Sequence, residues 1–213
     1  MAFKINNSLF KRLLHVGLVR QRLLYAKLIK RDFSSCNLIL DVGCGTGVFI
    51  ETCKMLGKFV VGVDVDRRQL SHALNCARGF LVLADASYLP FKDSSVDGVF
   101  FSHVIEHLQN PFPILEEIRR VLKNGGVLIV ITPTEHKHFY TTGHVRAYTK
   151  ETLSGTLLGV GFLNIITVYG HSFLLNIKDS EFLRKIINMM PIIWFKEILI
   201  AKAINQKIEN AQS

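Results

Sequence analysis

The stretch Asn37-Leu-Ile-Leu-Asp-Val-Gly-Cys-Gly-Thr-Gly-Val-Phe49 sets how the rest of the chain is read. Leu38 to Val42 is a run of strand length, glycines stand at 43, 45 and 47, and Val48-Phe-Ile with Met55-Leu56 fall at helical spacing. The segment predicts strand, tight turn and helix. Glycines on alternate positions remove the Cβ atoms that would hold a ligand away from the turn, and the start of the following helix offers unpaired N–H groups. The turn is G-x-G-x-G preceded by Asp41, whereas a dinucleotide site needs G-x-G-x-x-G. A carboxylate at that place suits a ligand carrying a cationic amino group and would repel a pyrophosphate.

Downstream, apolar runs and helical patterns alternate. Phe59-Val-Val-Gly-Val-Asp64 predicts a second strand ending in an acid, and an acid at that place can accept hydrogen bonds from both hydroxyls of a ribose. Asp66 predicts a cap for the helix that starts near Arg67. Phe80 to Ala84 supplies a third strand followed by Asp85-Ala86, and Val96 to Phe101 a fourth that leads into Ser102-His-Val-Ile-Glu-His-Leu108. A helix from about Pro111 to Leu122 repeats Ile114, Leu115, Ile118 and Val121-Leu122, is expected to end at Gly125-Gly126, and hands over to a fifth strand, Val127 to Ile131. Strands and helices alternating at these lengths imply a parallel sheet with right-handed crossovers.

The order ILDVGCGTG, VVGVD, LADASYLPF, VDGVFFSHVIEHL, EIRRVLKNGGVLIVITP resembles the methyltransferase type 11 group of the class I S-adenosylmethionine (SAM) dependent methyltransferases, over roughly residues 37–165. Asn124 stands where that family usually has Pro. The resemblance implies a doubly wound, Rossmann-like, mostly parallel seven-stranded sheet in the order 3-2-1-4-5-7-6 with strand seven antiparallel. It also implies that Asp41, Gly43, Cys44 and Gly45 hold the methionine part of the donor, Asp64 with Val65 the ribose, Asp85 and Ala86 the adenine, and Ser102 the donor's other flank. The cofactor is then SAM, with S-adenosylhomocysteine as product.

The loop 133–149 after strand five holds His136, His138, Tyr140, His144, Arg146 and Tyr148, and loops at the carboxyl edge of a parallel sheet commonly carry function. His144-Val-Arg-Ala-Tyr-Thr resembles a stretch common in type 11 proteins, and Tyr140, Arg146 and Tyr148 are read as acceptor contacts. Thr149 to Gly161 predicts a capped helix and Phe162 to Gly170 strand six. Glu181 to Met190 reads as helical up to Pro191. Glu197 to Ala203 is read as the last, antiparallel strand, with a second basic amphipathic helix as the competing reading.

At 213 residues, 49% hydrophobic and 20% charged, the chain accommodates one α/β domain with short additions: an N-terminal helical arm or cap over 1–34 and the catalytic domain over 35–213, of which 171–213 is a partly helical extension. No apolar run has the length of a membrane span. Of the net charge of +9, residues 1–31 contribute eight Lys and Arg with no acid, so the basicity belongs to the arm. Over 8–31, Phe10, Leu13, Leu14, Leu18, Leu24, Tyr25 and Leu28 form a stripe, opposite Lys11, Arg12, Arg20, Arg22, Lys27 and Lys30. The expectation is a basic amphipathic helix packed on the domain with a solvated face; a membrane-surface helix and an organelle transit peptide are the other readings. Cys36, Cys44, Cys53 and Cys76 contain no C-x-x-C pair, which fits reduced thiols and a cytoplasmic setting, with peripheral membrane contact through 8–31 compatible.

Methyl transfer from a sulfonium is a direct displacement, so binding, alignment and exclusion of water are the main tasks. A hydroxyl acceptor is helped by a general base, and His103, His107 and His144 are the candidates. His103, Glu106 and His107 stand at i, i+3 and i+4, the spacing of one helix face. The segment is also similar to the E-x-x-E-H of quinone-biosynthesis O-methyltransferases and small-RNA 3′-end methyltransferases, where acids and histidine bind a divalent cation. Glu106 and His107 match and His144 adds a ligand from the loop, but His103 replaces the first acid, which leaves the metal unknown. The expected acceptor is oxygen or nitrogen of a small or lipid-like molecule. An RNA methyltransferase gripping phosphates with the arm, and a SAM-binding protein without catalysis, are the alternatives, and nucleic acid is disfavoured by the few aromatics there.

Overall fold

The computed structural model describes residues 7–77, 80–134, 143–171 and 197–206. A long helix, α1 (Asn7–Asp32), precedes β1 (Ile39–Val42), α2 (Val48–Met55), β2 (Val60–Asp64), α3 (Arg67–Ala77), β3 (Phe80–Leu83) and β4 (Val96–Ser102). A single 3-10 turn (Ile105–His107) leads to α4 (Phe112–Val121), β5 (Leu122–Pro133), α5 (Lys150–Gly159), β6 (Leu163–His171) and β7 (Glu197–Asn205). The strands form one sheet in the order β3-β2-β1-β4-β5-β7-β6, the expected order. β7 is antiparallel to both β5 and β6, so Glu197 to Ala203 is the strand and not the helix of the competing reading. The expected helix Glu181–Met190 lies outside the described residues.

The core is sorted by strand alternation. Side chains on successive residues point to opposite faces, so Ile39 and Phe100 pack with Tyr25, Leu28, Ile29 and Phe33 of α1 and with Phe49 and Ile50 of α2. Leu40, Val99 and Phe101 pack on the other face with Ile114, Leu115 and Ile118 of α4 and Leu153 and Leu157 of α5. All four residues of β1 are buried, as befits a parallel strand covered on both faces. Helix α1 is tied to the body by Arg22–Glu51 on α2 (2.6 Å) and by Asp32–Lys202 on β7 (3.1 Å). Its stripe is buried from Tyr25 onward, whereas Leu18, expected on the apolar side, is exposed.

Two local expectations shift. Helix α4 ends at Val121, since Leu122 is already extended (ψ 135°), and Gly125-Gly126 lie inside β5. The glycines serve a register shift of the β4–β5 pairing between Val96 and Gly98, with Gly125 left-handed at φ +78°, while the helix end is held by Asn205 Nδ2, which donates to the carbonyls of Arg119, Leu122 and Lys123. At α5 the cap is as read: Thr149 and Thr152 form a reciprocal capping box.

Candidate active site

The donor side is built at the carboxyl ends of β1, β2 and β4. Gly43, Gly45 and Gly47 are all left-handed, at φ +72°, +52° and +82°. Two of them serve different ends. A Cβ at Gly43 would stand 2.3 Å from Val104 Cγ2, so that glycine lets the turn pack under the β4 loop, whereas a Cβ at Gly45 would meet nothing within 4 Å. The backbone at Gly45 is therefore open to a ligand. Asp64 ties the turn down: its Oδ2 accepts from Gly45 N (2.8 Å) and its Oδ1 from Asp66 N (2.9 Å). Asp66 in turn accepts from Arg68 N at 2.7 Å, the cap of α3. Val65 and Asp85 are exposed at the ends of β2 and β3, with Asp85 Oδ1 accepting from Ser87 N (2.8 Å), and Ala86 packs against the core.

Asp41 is 3% exposed. Burial, and then the neighbouring Asp64 carboxylate, push its pKa up to about 8. A carboxylate so placed is a standing demand for a positive group. Cys44 is buried beside it, and burial followed by the charges of Asp41 and Asp64 pushes its thiol far up, which leaves it an inert wall. Ser102 Oγ, at the end of β4, is buried, with the Tyr25 phenol as a loose side-chain neighbour.

A second group of candidate residues begins one residue later. His103 is left-handed (φ +56°), its N–H donates to Ile131 O, and the helix face expected for His103, Glu106 and His107 is in fact a bend followed by one 3-10 turn. The bend brings His103 Nδ1 to 3.2 Å from Glu106 Oε1, and Thr132 Oγ1 donates to Glu106 Oε2 at 3.1 Å. Glu106 is 1% exposed; burial pushes its pKa up, but the hydrogen bond and charge of His103 outweigh it and hold the carboxyl below the usual range. Thr132 is the partner that sequence could not have found, as nothing in a buried strand threonine marks it.

The segment after the undescribed part of the loop is laced to this turn. Val145 N and Arg146 N both donate to Glu106 O, Arg146 Nη2 donates to Gln109 O (2.7 Å), and His107 Nδ1 lies 2.9 Å from Gly143 O. A carbonyl only accepts, so His107 carries its proton on Nδ1 and presents Nε2 as the acceptor. His144 meets His107 edge to face, ring centroids 4.8 Å apart. Tyr148 is a core residue at 1% exposure, in a bridge with Thr134, and burial raises its phenol to about 12. His136, His138 and Tyr140 lie outside the described residues. Among the described residues, Glu106, His107 and His144 place ligand atoms within 4.8 Å of one another, so they could hold a cation if Glu106 released His103 or Thr132.

Residues 40–130 match the family model described as a methyltransferase domain. A protein of Mycobacterium tuberculosis named a probable S-adenosylmethionine-dependent methyltransferase is 28% identical over 155 residues, 68% of this chain and 55% of that protein. A malonyl-[acyl-carrier protein] O-methyltransferase of Erwinia pyrifoliae is 35% identical over 98 residues, 46% of this chain and 37% of that protein. A SAM-dependent methyltransferase from Archaeoglobus fulgidus superposes with a TM-score of 0.66 at 24% identity, covering 86% of this chain and 94% of that one. Together these matches support a class I SAM-dependent methyltransferase. It spans about half the length of the curated relatives it matches. The site fits SAM: buried Asp41 awaits a cation and the backbone at Gly45 is open to a ligand.

Proposed function

We propose that this protein transfers a methyl group from SAM to an oxygen or nitrogen of a small or lipid-like acceptor, with His103 as the general base. Bound SAM supplies a methyl carbon activated by the adjacent sulfonium. The residues of the chain supply the rest: Asp41, Gly43, Cys44 and Gly45 bind the methionine part, Asp64 and Val65 the ribose, and Asp85 and Ala86 the adenine. The observation that carries the acid–base reading is the His103–Glu106 pair directly after Ser102. Glu106, pinned by Thr132, orients the imidazole so that Nε2 takes the acceptor's proton as the new bond forms. His107 and His144 would be the alternative bases, and Arg146 would meet an anionic acceptor.

Two observations support a small or lipid-like acceptor over RNA. Arg22 and Arg31 of the arm pair with Glu51 and Asp32, which partly offsets the positive charge a phosphate would meet there. The Erwinia relative, by its name, methylates an oxygen of a malonyl group on a carrier. Peripheral membrane contact is supported by Leu18, Val19 and Leu23, exposed on the same basic helix. Among the described residues no helix is long and apolar enough to cross a membrane.

The test is transfer of tritiated methyl from SAM into lipid, small-molecule and RNA fractions of a cell extract. Label in the first two, lost by about a hundredfold or more in His103→Ala, is the expected result. Label confined to RNA overturns the acceptor class. Sedimentation with anionic liposomes, compared with and without residues 8–31, tests the membrane contact.

A further inference from the structure

We propose that Tyr25 of α1 is a donor-site residue: its hydroxyl, with that of Ser102, forms the hydrogen-bonding wall for the amino-acid end of SAM. The proposal rests on the SAM assignment and adds to it a residue from outside the sheet and turn. It begins with register. Asp41 of β1 and Phe100 of β4 are paired residues of parallel neighbours, so their side chains share one face, and Ser102, two residues on, shares it at the carboxyl edge. The Tyr25 ring stands edge-on to Phe100 at 5.0 Å and to Phe49 at 5.6 Å, and Phe49, on the helix that follows the glycine turn, stacks on Phe100 at 3.8 Å. These contacts place the phenol, 5% exposed, on the face that carries Asp41 and Ser102.

The hydrogen bonds give the phenol its direction. Tyr25 accepts from Gln21 Nε2 at 2.7 Å, one turn earlier on the same helix, so its own proton is left to give. Its pKa is raised by burial, lowered by the adjacent Ser102 and Gln21 groups and raised again by Asp41, which identifies its neighbours. Ser102 Oγ is buried beside it and makes a loose hydrogen bond with the phenol, short of good geometry. With a ligand ammonium beside it Asp41 is a carboxylate, and the Tyr25 and Ser102 hydroxyls, which otherwise turn to each other, can turn to an acceptor. An α-amino acid end presents the complement: an ammonium for Asp41 and a carboxylate that accepts from Tyr25 and Ser102. Gln21 sets the orientation of the phenol.

The test compares two ligands in calorimetry on the full chain: S-adenosylhomocysteine, which has the amino-acid end, and 5′-methylthioadenosine, which has the same nucleoside and lacks it. Tyr25→Phe keeps the ring and its packing, and Ser102→Ala removes the other hydroxyl. The expected result for each is a loss of about tenfold for S-adenosylhomocysteine and no change for 5′-methylthioadenosine. Equal losses for both ligands would assign Tyr25 to packing and overturn the proposal, as would no loss for either. Wild-type protein that binds neither ligand would instead sink the SAM assignment on which the proposal stands.

Discussion

The Asp64 carboxylate accepts the backbone N–H of Gly45 at 2.8 Å, which joins the end of β2 to the middle of the glycine turn. The acid expected to meet the ribose is therefore also the clamp that shapes the glycine turn. Asp64→Ala removes both, and charge-assisted bonds of this kind are worth about 1.5–3 kcal/mol each. S-adenosylhomocysteine affinity should fall by about ten- to a hundredfold in calorimetry, and unchanged affinity would count against the site as drawn.

Asp41 carries a pH signature. Its folded pKa of about 8 lies far above the usual carboxylate value, so the folded protein binds a proton that the unfolded chain has released. Stability is then fully present below the usual carboxylate range and declines as pH rises towards 8, by at most about 1.4 kcal/mol per pH unit. The ligand-free protein should melt lower at about pH 8 than at about pH 5.5, and Asp41→Asn should flatten that slope. Binding of a ligand ammonium beside Asp41 should release a proton, which calorimetry in buffers of different ionisation enthalpy reads directly.

Glu106 has the opposite sign. Its folded pKa is held below the usual range, so its stabilisation is present above the unfolded value and is lost as pH falls through the folded one. Glu106→Gln should cost about 1–3 kcal/mol at neutral pH, because His103 loses its charged partner, and the gap to wild type should close on acidification. Methyl transfer should fall while binding of S-adenosylhomocysteine holds. A parallel loss of binding would move Glu106 from orienting the base to supporting the donor site.

Gly43→Ala sets a Cβ 2.3 Å from Val104 Cγ2 at a left-handed φ of +72°. Steric and backbone costs of about 1–3 kcal/mol each apply. The melting temperature should drop by several degrees, and Val104→Ala in the same chain should recover the steric part alone. Full recovery would show that the backbone at Gly43 is not strained by a side chain.

Much of this was readable residue by residue. The glycine turn, the acids after β1, β2 and β3, and the strand order through β5 follow from local spacing and from the family pattern those motifs carry. Where the reading slipped, a local signal competed with a distant partner. Gly125-Gly126 looks like a helix stop, yet Val121 ends α4 because Leu122 already pairs with Val96, and Asn205 reaches back to hold the freed carbonyls. Leu18 sits on the apolar stripe, but a stripe does not say how far the surface beneath it extends. His103, Glu106 and His107 have the spacing of a helix face, and a left-handed backbone at His103 turns that spacing into a hydrogen-bonded pair.

The donor was legible in the sequence through the family resemblance that the glycine turn and its neighbouring acids carry, since those motifs are written in consecutive residues whose backbone preferences act over a few bonds. Only folding put Tyr25 against Phe100, Thr132 against Glu106 and His144 against His107. Those pairs are separated by 26 to 75 positions in the sequence and meet because strand register and face alternation bring them to one edge of the sheet, a condition no local pattern records.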